Sequence, residues 1–137
     1  MTNTQNFGIT LLRTALAFVF LWFGFSQISD AALWTSYVPT WTSAIASAGT
    51  MVYLNGIFEI LAGSMLALGI FPRYVAGLLG LHLLIISIHI GFTAVGVRDI
   101  GLGLATIALA MIGADRFALT SQKAYAVQSQ SPNPVNQ

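Results

Sequence analysis

The 137-residue chain has no cysteine, only nine charged side chains (five Lys and Arg, four Asp and Glu) and just four prolines. Without cysteine there is no disulfide, no thiolate metal ligand and no iron–sulfur ligation, so a redox role needs an external cofactor or a partner subunit. Charged residues make up 7% of the chain, against about a quarter in an ordinary soluble domain. That is too few to cover a core with a polar shell. The formal net charge of +1, spread over scattered basic residues, builds no footprint for nucleic acid. What the chain has in excess is apolar surface, with 56% hydrophobic residues. The solvent for such a surface is lipid, so the bilayer is the first partner that the composition names.

Four apolar stretches are each close to the roughly 20 residues a helix needs to cross about 30 Å of hydrocarbon. The first runs from about Ile9 to Ile28 and ends at Ser29-Asp30; the second runs from about Thr50 to Phe71 and is stopped by Pro72-Arg73. The third covers about Tyr74 to Val95 and the fourth, after Gly96, about Val97 to Ala114, closed by Asp115-Arg116. Short links between the second, third and fourth spans force antiparallel hairpins. The expected fold is all-α: a polytopic membrane protein built as an antiparallel four-transmembrane-helix bundle over residues 1–119. The remainder, residues 120–137, is rich in Ser, Gln, Asn and Pro and is expected to be a disordered polar tail.

The long connection, Asp30 to Gly49, carries Leu33, Trp34, Tyr37, Val38, Trp41 and Ile45 at helical spacing, with Pro39 starting or breaking the helix. Trp and Tyr favour the headgroup layer, so this segment reads as an interfacial lid or anchor. With four spans both termini share a side. That side holds Arg13, Arg73, Arg116 and Lys123 against Arg98 alone on the other. Positive-inside bias then places both termini in the cytoplasm and the chain in the cell membrane. Ser29-Asp30-Ala31 offers signal-peptidase spacing after the first apolar run; an aromatic-rich span followed by three more favours a retained helix.

Glu59 is the most informative residue. It lies about 13 Å deep in the second span by helical rise, where insertion scales put an acidic side chain at about +2.5 to +3.5 kcal/mol. It must therefore point into the bundle. Gly49, Gly56 and Gly63 recur every seven residues, and Glu59 shares their close-packing face with Asn55 one turn earlier. Glu59 is either a proton carrier and ligand contact or a structural acid held by hydrogen bonds.

His82 and His89 share a face of the third span, and His89 comes near the depth of Glu59, which makes a Glu59–His89 contact geometrically available. The alternative is a histidine bonded to a backbone carbonyl or interfacial water. Seven residues put the two histidines about 10.5 Å apart along the axis, too far to share a haem iron or a helical two-histidine metal site. Arg98-Asp99 opens the fourth span. Asp99 there caps free amides, or else Arg98 reaches inward to pair with Glu59 or with an anionic ligand. Arg13, about 7 Å from the opposite surface, is expected to snorkel outward rather than pair inside.

Three stretches carry a resemblance: LLRTALAFVFLWFGFSQISD with Arg13 and Gly24, GIFEILAGSMLALGIFPRYVAGLL with Glu59, Gly63, Gly69 and Arg73, and VRDIGLGLATIALAMIGADRFAL with Arg98 and Asp99. Together, from about Leu11 to Leu119, they resemble the DoxX family of small four-helix membrane proteins, with Gln27 where a lysine is often expected. The resemblance implies association with membrane oxidoreductases, among them a thiosulfate:quinone oxidoreductase. The expected function is a membrane subunit of a redox-linked system, itself at most a subunit of an oxidoreductase. In it Glu59 and His89 handle protons, Asn55, Arg98 and Asp99 contact the ligand, the cofactor is external (a quinone), and the partner is an oxidoreductase subunit or a second copy. The other class of function is a small transporter, channel or non-catalytic scaffold, in which Glu59, Arg98 and Asp99 line a polar path or lock the helices together.

Overall fold

A computed structural model describes residues 2–122. Four helices long and apolar enough to cross a membrane follow one another: α1 (Asn3–Ser29), α2 (Ala48–Leu68), α3 (Pro72–Ile90) and α4 (Ala94–Ile112). At 1.5 Å per residue the 27 residues of α1 run to about 40 Å, longer than the hydrocarbon slab. Its extra turns start at a capping box in which Thr2 and Gln5 exchange bonds, satisfying free amides beyond the apolar run. The other starts are equally local: Ser47 caps α2, Pro72 stands at the first position of α3, and Thr93 caps α4. Asp99 is therefore not a cap; α4 begins five residues before it.

The segment between α1 and α2 forms two 3-10 helices, Ala31–Tyr37 and Thr40–Ala44, parted at Val38-Pro39. Pro39 lacks an amide and fixes its own φ, which ends the first and starts the second. The expected periodicity is thus present as 3-10 rather than α-helix. Its first half packs on α1, α2 and α3 as a lid. The expected disordered tail lies, from Lys123 onward, outside the described residues; residues 119–122 form a helical turn.

The four helices pack most extensively as two pairs, α1 with α2 and α3 with α4. Glycine makes both seams close. A β-carbon on Gly24 would stand 2.8 Å from the Gly56 carbonyl oxygen, and one on Gly80 would stand 3.0 Å from that of Gly103. In lipid no hydrophobic force joins two apolar helices, so such backbone approach supplies the dispersion contact that holds them. A β-carbon on Gly63 would meet Leu21 on the same seam, whereas one on Gly49 would meet nothing within 4 Å, so Gly49 does not belong to the packing face.

The two pairs join across an apolar core of Leu16, Ala17, Phe20, Leu66, Ala76, Leu79 and Leu109, which fills the half of the bundle nearer the termini. Toward the lid this core gives way to a cavity.

At the terminal end, Arg13 corrects the snorkelling expectation. It is 4% exposed and donates through Nε to Asp115 at 2.8 Å and through Nη1 to the carbonyls of Leu66 and Ala67. Carbonyls at the end of a helix run short of donors; the Gly69 amide serves Leu66 O, and a guanidinium with five N–H groups adds bonds to Leu66 and Ala67 and to a carboxylate together. Asp115 also accepts from Phe117 N, while Thr120 bonds Gly69 O and Phe71 N. The chain after α4 is thereby fastened onto the α2–α3 turn.

A lid-covered candidate ligand site

The cavity holds about 260 Å³ between the two helix pairs, under the first 3-10 helix of the lid. Phe20 and Leu83 border it beside the core, Phe23, Ile86 and Leu102 form apolar walls, and Trp34 and Tyr37 come from the lid. Its polar lining includes Glu59, Asp99, Arg98 and Ser26. An apolar chamber with a few convergent polar groups, slightly below the size of a typical small-molecule pocket, is the usual form of a ligand site.

Glu59 is buried at 4% exposure, and each of its carboxyl oxygens accepts from an amide: Oε2 from Gln27 Nε2 and Oε1 from Asn55 Nδ2, both at 3.0 Å. Asn55 Nδ2 also donates to Gln27 Oε1 at 2.8 Å. The triangle exists because the glycine seam draws α1 and α2 together: Gly56 abuts the Cβ of Gln27, and Asn55 lies one turn from Glu59. Gln27 is thus the functional neighbour that sequence reasoning missed. Its signal was available, because a polar side chain late in an apolar span needs a partner as much as Glu59 does.

Arg98 and Asp99 reach the same cavity from α4. They pair with one another, Nε to Oδ1 at 2.8 Å, so Arg98 does not pair with Glu59. Asp99 is buried, and the Arg98 side chain, 47% exposed, marks where the cavity meets the surface. The Arg98 guanidinium also lies 5.0 Å from the Phe23 ring centroid, a cation–π distance. Phe23 in turn meets Trp34 edge-on at 5.4 Å and 88°, so lid, α1 and α4 are joined by stacked side chains.

His89 is not in this site. It is exposed in the last turn of α3 and borders a separate cleft with Ser36, Tyr37 and Thr93, so the Glu59–His89 contact is not made. His82 lies edge-on to Phe58 at 4.7 Å. The two histidines have unrelated surroundings despite sharing a helix. Four of the expected residues therefore converge: Glu59, Arg98 and Asp99 on the cavity, with Asn55 behind Glu59.

Fold and site define a class, a small polytopic helical membrane protein with a buried carboxylate facing a lid-covered chamber. The DoxX family model matches residues 8–92, well over half the chain, and the protein belongs to the DoxX family. The match takes in α1, the lid, α2 and α3 with Gln27, Asn55 and Glu59, and stops before Arg98 and Asp99. Comparison with curated proteins and with solved structures gave no match.

Proposed function

We propose that this protein is the membrane subunit of a redox-linked system, with the cavity as a site for a quinone-type ligand and Glu59 as its proton-handling group. The observation that carries this is the placement of a buried, doubly hydrogen-bonded carboxylate on the wall of an aromatic and aliphatic chamber within the membrane. The lining fits a flat, weakly polar ring: Phe20, Phe23, Leu83, Ile86 and Leu102 offer apolar faces, and a few polar atoms at the edge fix orientation. A bound quinone would supply the two-electron chemistry, with electrons from a partner subunit, since this chain has no cysteine with which to carry them. The chain's own share is to orient the ring, exclude water and hold a proton at a Glu59 carboxyl oxygen. Gln27 and Asn55 keep that carboxyl aimed at the cavity, so it does not swing away to another partner.

Glu59→Gln tests this. The amide keeps the shape but supplies one acceptor oxygen where two are used, so about one hydrogen bond, on the order of 1 kcal/mol, is lost. The variant is expected to reach the membrane and fold. Quinone-linked electron flow in membranes from a deletion strain carrying it is expected to fall about a hundredfold, in the range of general acid–base effects. Glu59→Leu strands two amide donors and is expected to lower the detergent melting temperature more than Glu59→Gln does. Normal electron flow with Glu59→Gln, together with unfolding of Glu59→Leu, reduces Glu59 to a structural acid and leaves the scaffold function in its place.

We further propose that both termini are cytoplasmic in the cell membrane, since three of the four basic side chains among the described residues, Arg13, Arg73 and Arg116, belong to that end of the bundle. A reporter that is active only in the periplasm is expected to stay silent when fused at the C-terminus. Activity there reverses the orientation.

A further inference from the structure

The indole Nε1 of Trp34 is buried and has no hydrogen-bond partner among the described residues. An indole N–H donates only, and a buried donor without an acceptor is costly enough that nearly all find one. Trp34 lines the cavity and its ring is fixed from two sides, by Phe23 at 5.4 Å and by Tyr37 at 5.9 Å. None of the acceptors on the cavity wall bonds to that N–H. Both Glu59 oxygens take amide donors, and Asp99 Oδ1 takes Arg98. The chamber thus combines apolar walls with an indole ring whose buried N–H finds no acceptor in the protein.

We propose that Trp34 is the ligand-selecting donor: the cavity takes a neutral, flat ring bearing an oxygen acceptor, and the Trp34 Nε1–H binds that oxygen. This rests on the cavity being a ligand site, as proposed above. Charge argues for neutrality. An anion would enter beside two carboxylates whose one neighbouring cation, Arg98, is already paired with Asp99. A cation would turn its own donors toward the N–H and leave it unsatisfied, and it would compete with the donors that Glu59 and Asp99 Oδ1 already hold. A neutral acceptor displaces none of these, and its ring lies among Phe20, Leu83, Ile86 and Leu102.

The test uses the full chain in nanodiscs and three probes of similar size: a short-tailed benzoquinone, the matching alkylbenzene without ring oxygens, and the matching alkylbenzylamine. Trp34→Phe keeps an aromatic ring beside Phe23 and removes the N–H with part of the indole, a packing change that the alkylbenzene reads by itself. The benzoquinone is expected to bind the wild type, and to bind Trp34→Phe about tenfold more weakly, the loss of one buried hydrogen bond. The alkylbenzene is expected to bind both forms alike. In the ¹⁵N-indole spectrum, the Trp34 resonance, assigned by its disappearance in Trp34→Phe, is expected to move downfield with benzoquinone and stay in place with alkylbenzene. Equal benzoquinone affinity in the two forms, or an unmoved Trp34 resonance on binding, overturns the role of Trp34 and leaves the ligand site standing. Tighter binding of the amine than of the quinone overturns the ligand class. Absence of benzoquinone binding to the wild type overturns both this inference and the quinone site beneath it.

Discussion

Arg13→Ala is expected to destabilise the protein by about 3–5 kcal/mol, the usual consequence of stranding one member of a buried ion pair. The Asp115 side chain is fully buried, and its Oδ2 has Arg13 as its cation partner. The same substitution takes a donor from the carbonyls of Leu66 and Ala67 at the end of α2; Leu66 O keeps the Gly69 amide, so Asp115 Oδ2 and Ala67 O lose most, in a place that water reaches poorly. Asp115→Ala is expected to be similarly damaging, because it leaves a guanidinium with only carbonyls around it. The double variant Arg13→Ala/Asp115→Ala removes both charges and is expected to lose clearly less than the sum of the two single changes. Thermal melting of the four proteins in mild detergent decides the matter. A wild-type melting temperature for Arg13→Ala would return Arg13 to the membrane surface, and strict additivity would uncouple the pair. Because the clasp joins α1, the end of α2 and the chain after α4, its loss is also expected to expose the segment at 115–122 to protease.

Gly24→Ala is expected to have the second large effect, on stability and on function together. The added methyl would meet the Gly56 carbonyl oxygen and Ile60 Cγ1 at 2.8 Å and the Ile60 backbone nitrogen at 3.1 Å. Side-chain atoms can move aside, but helix backbone yields only if α1 and α2 separate. Overpacking of this kind costs about 1–3 kcal/mol. Separation also lengthens the two bonds of the triangle that cross from α1 to α2, Gln27 to Glu59 and Asn55 to Gln27, since Gly56 rests against Gln27. Electron flow is therefore expected to drop even at temperatures where Gly24→Ala remains folded. Gly101→Ala is the control: a β-carbon there meets nothing within 4 Å, and no change is expected in either measurement. Equal behaviour of the two variants in both assays would detach the Glu59 triangle from the glycine seam.

Four spans, their antiparallel order and the inward aim of Glu59 were legible in the sequence because each follows from solvent alone. In hydrocarbon an apolar run of about 20 residues satisfies its backbone only as a helix, and a carboxyl at its centre must turn from lipid. Span limits were read less well, by one to six residues; at the starts, polar caps such as Thr2, Ser47 and Thr93 carry a helix beyond its hydrophobic limits. The lid was legible as an amphipathic segment, but not as 3-10 helix.

Partnership was what the sequence left open. Arg13 had two outlets, the surface or an acceptor inside the bundle, and only the fold brings Asp115, 102 positions away, within 2.8 Å of it. His89 shared the depth of Glu59, yet depth fixes one coordinate and the rotation of α3 fixes the others; that rotation turns His89 outward. Gln27 reached Glu59 because two glycines from different helices face one another, a pairing that spacing within one helix does not reveal. Sequence by itself determined the solvent, the number of spans and which side chains needed a partner, because these depend on transfer free energies of single residues. Tertiary structure alone decided who the partners are and that a cavity opens between the helix pairs, because a contact depends on the rotation and approach of two helices at once.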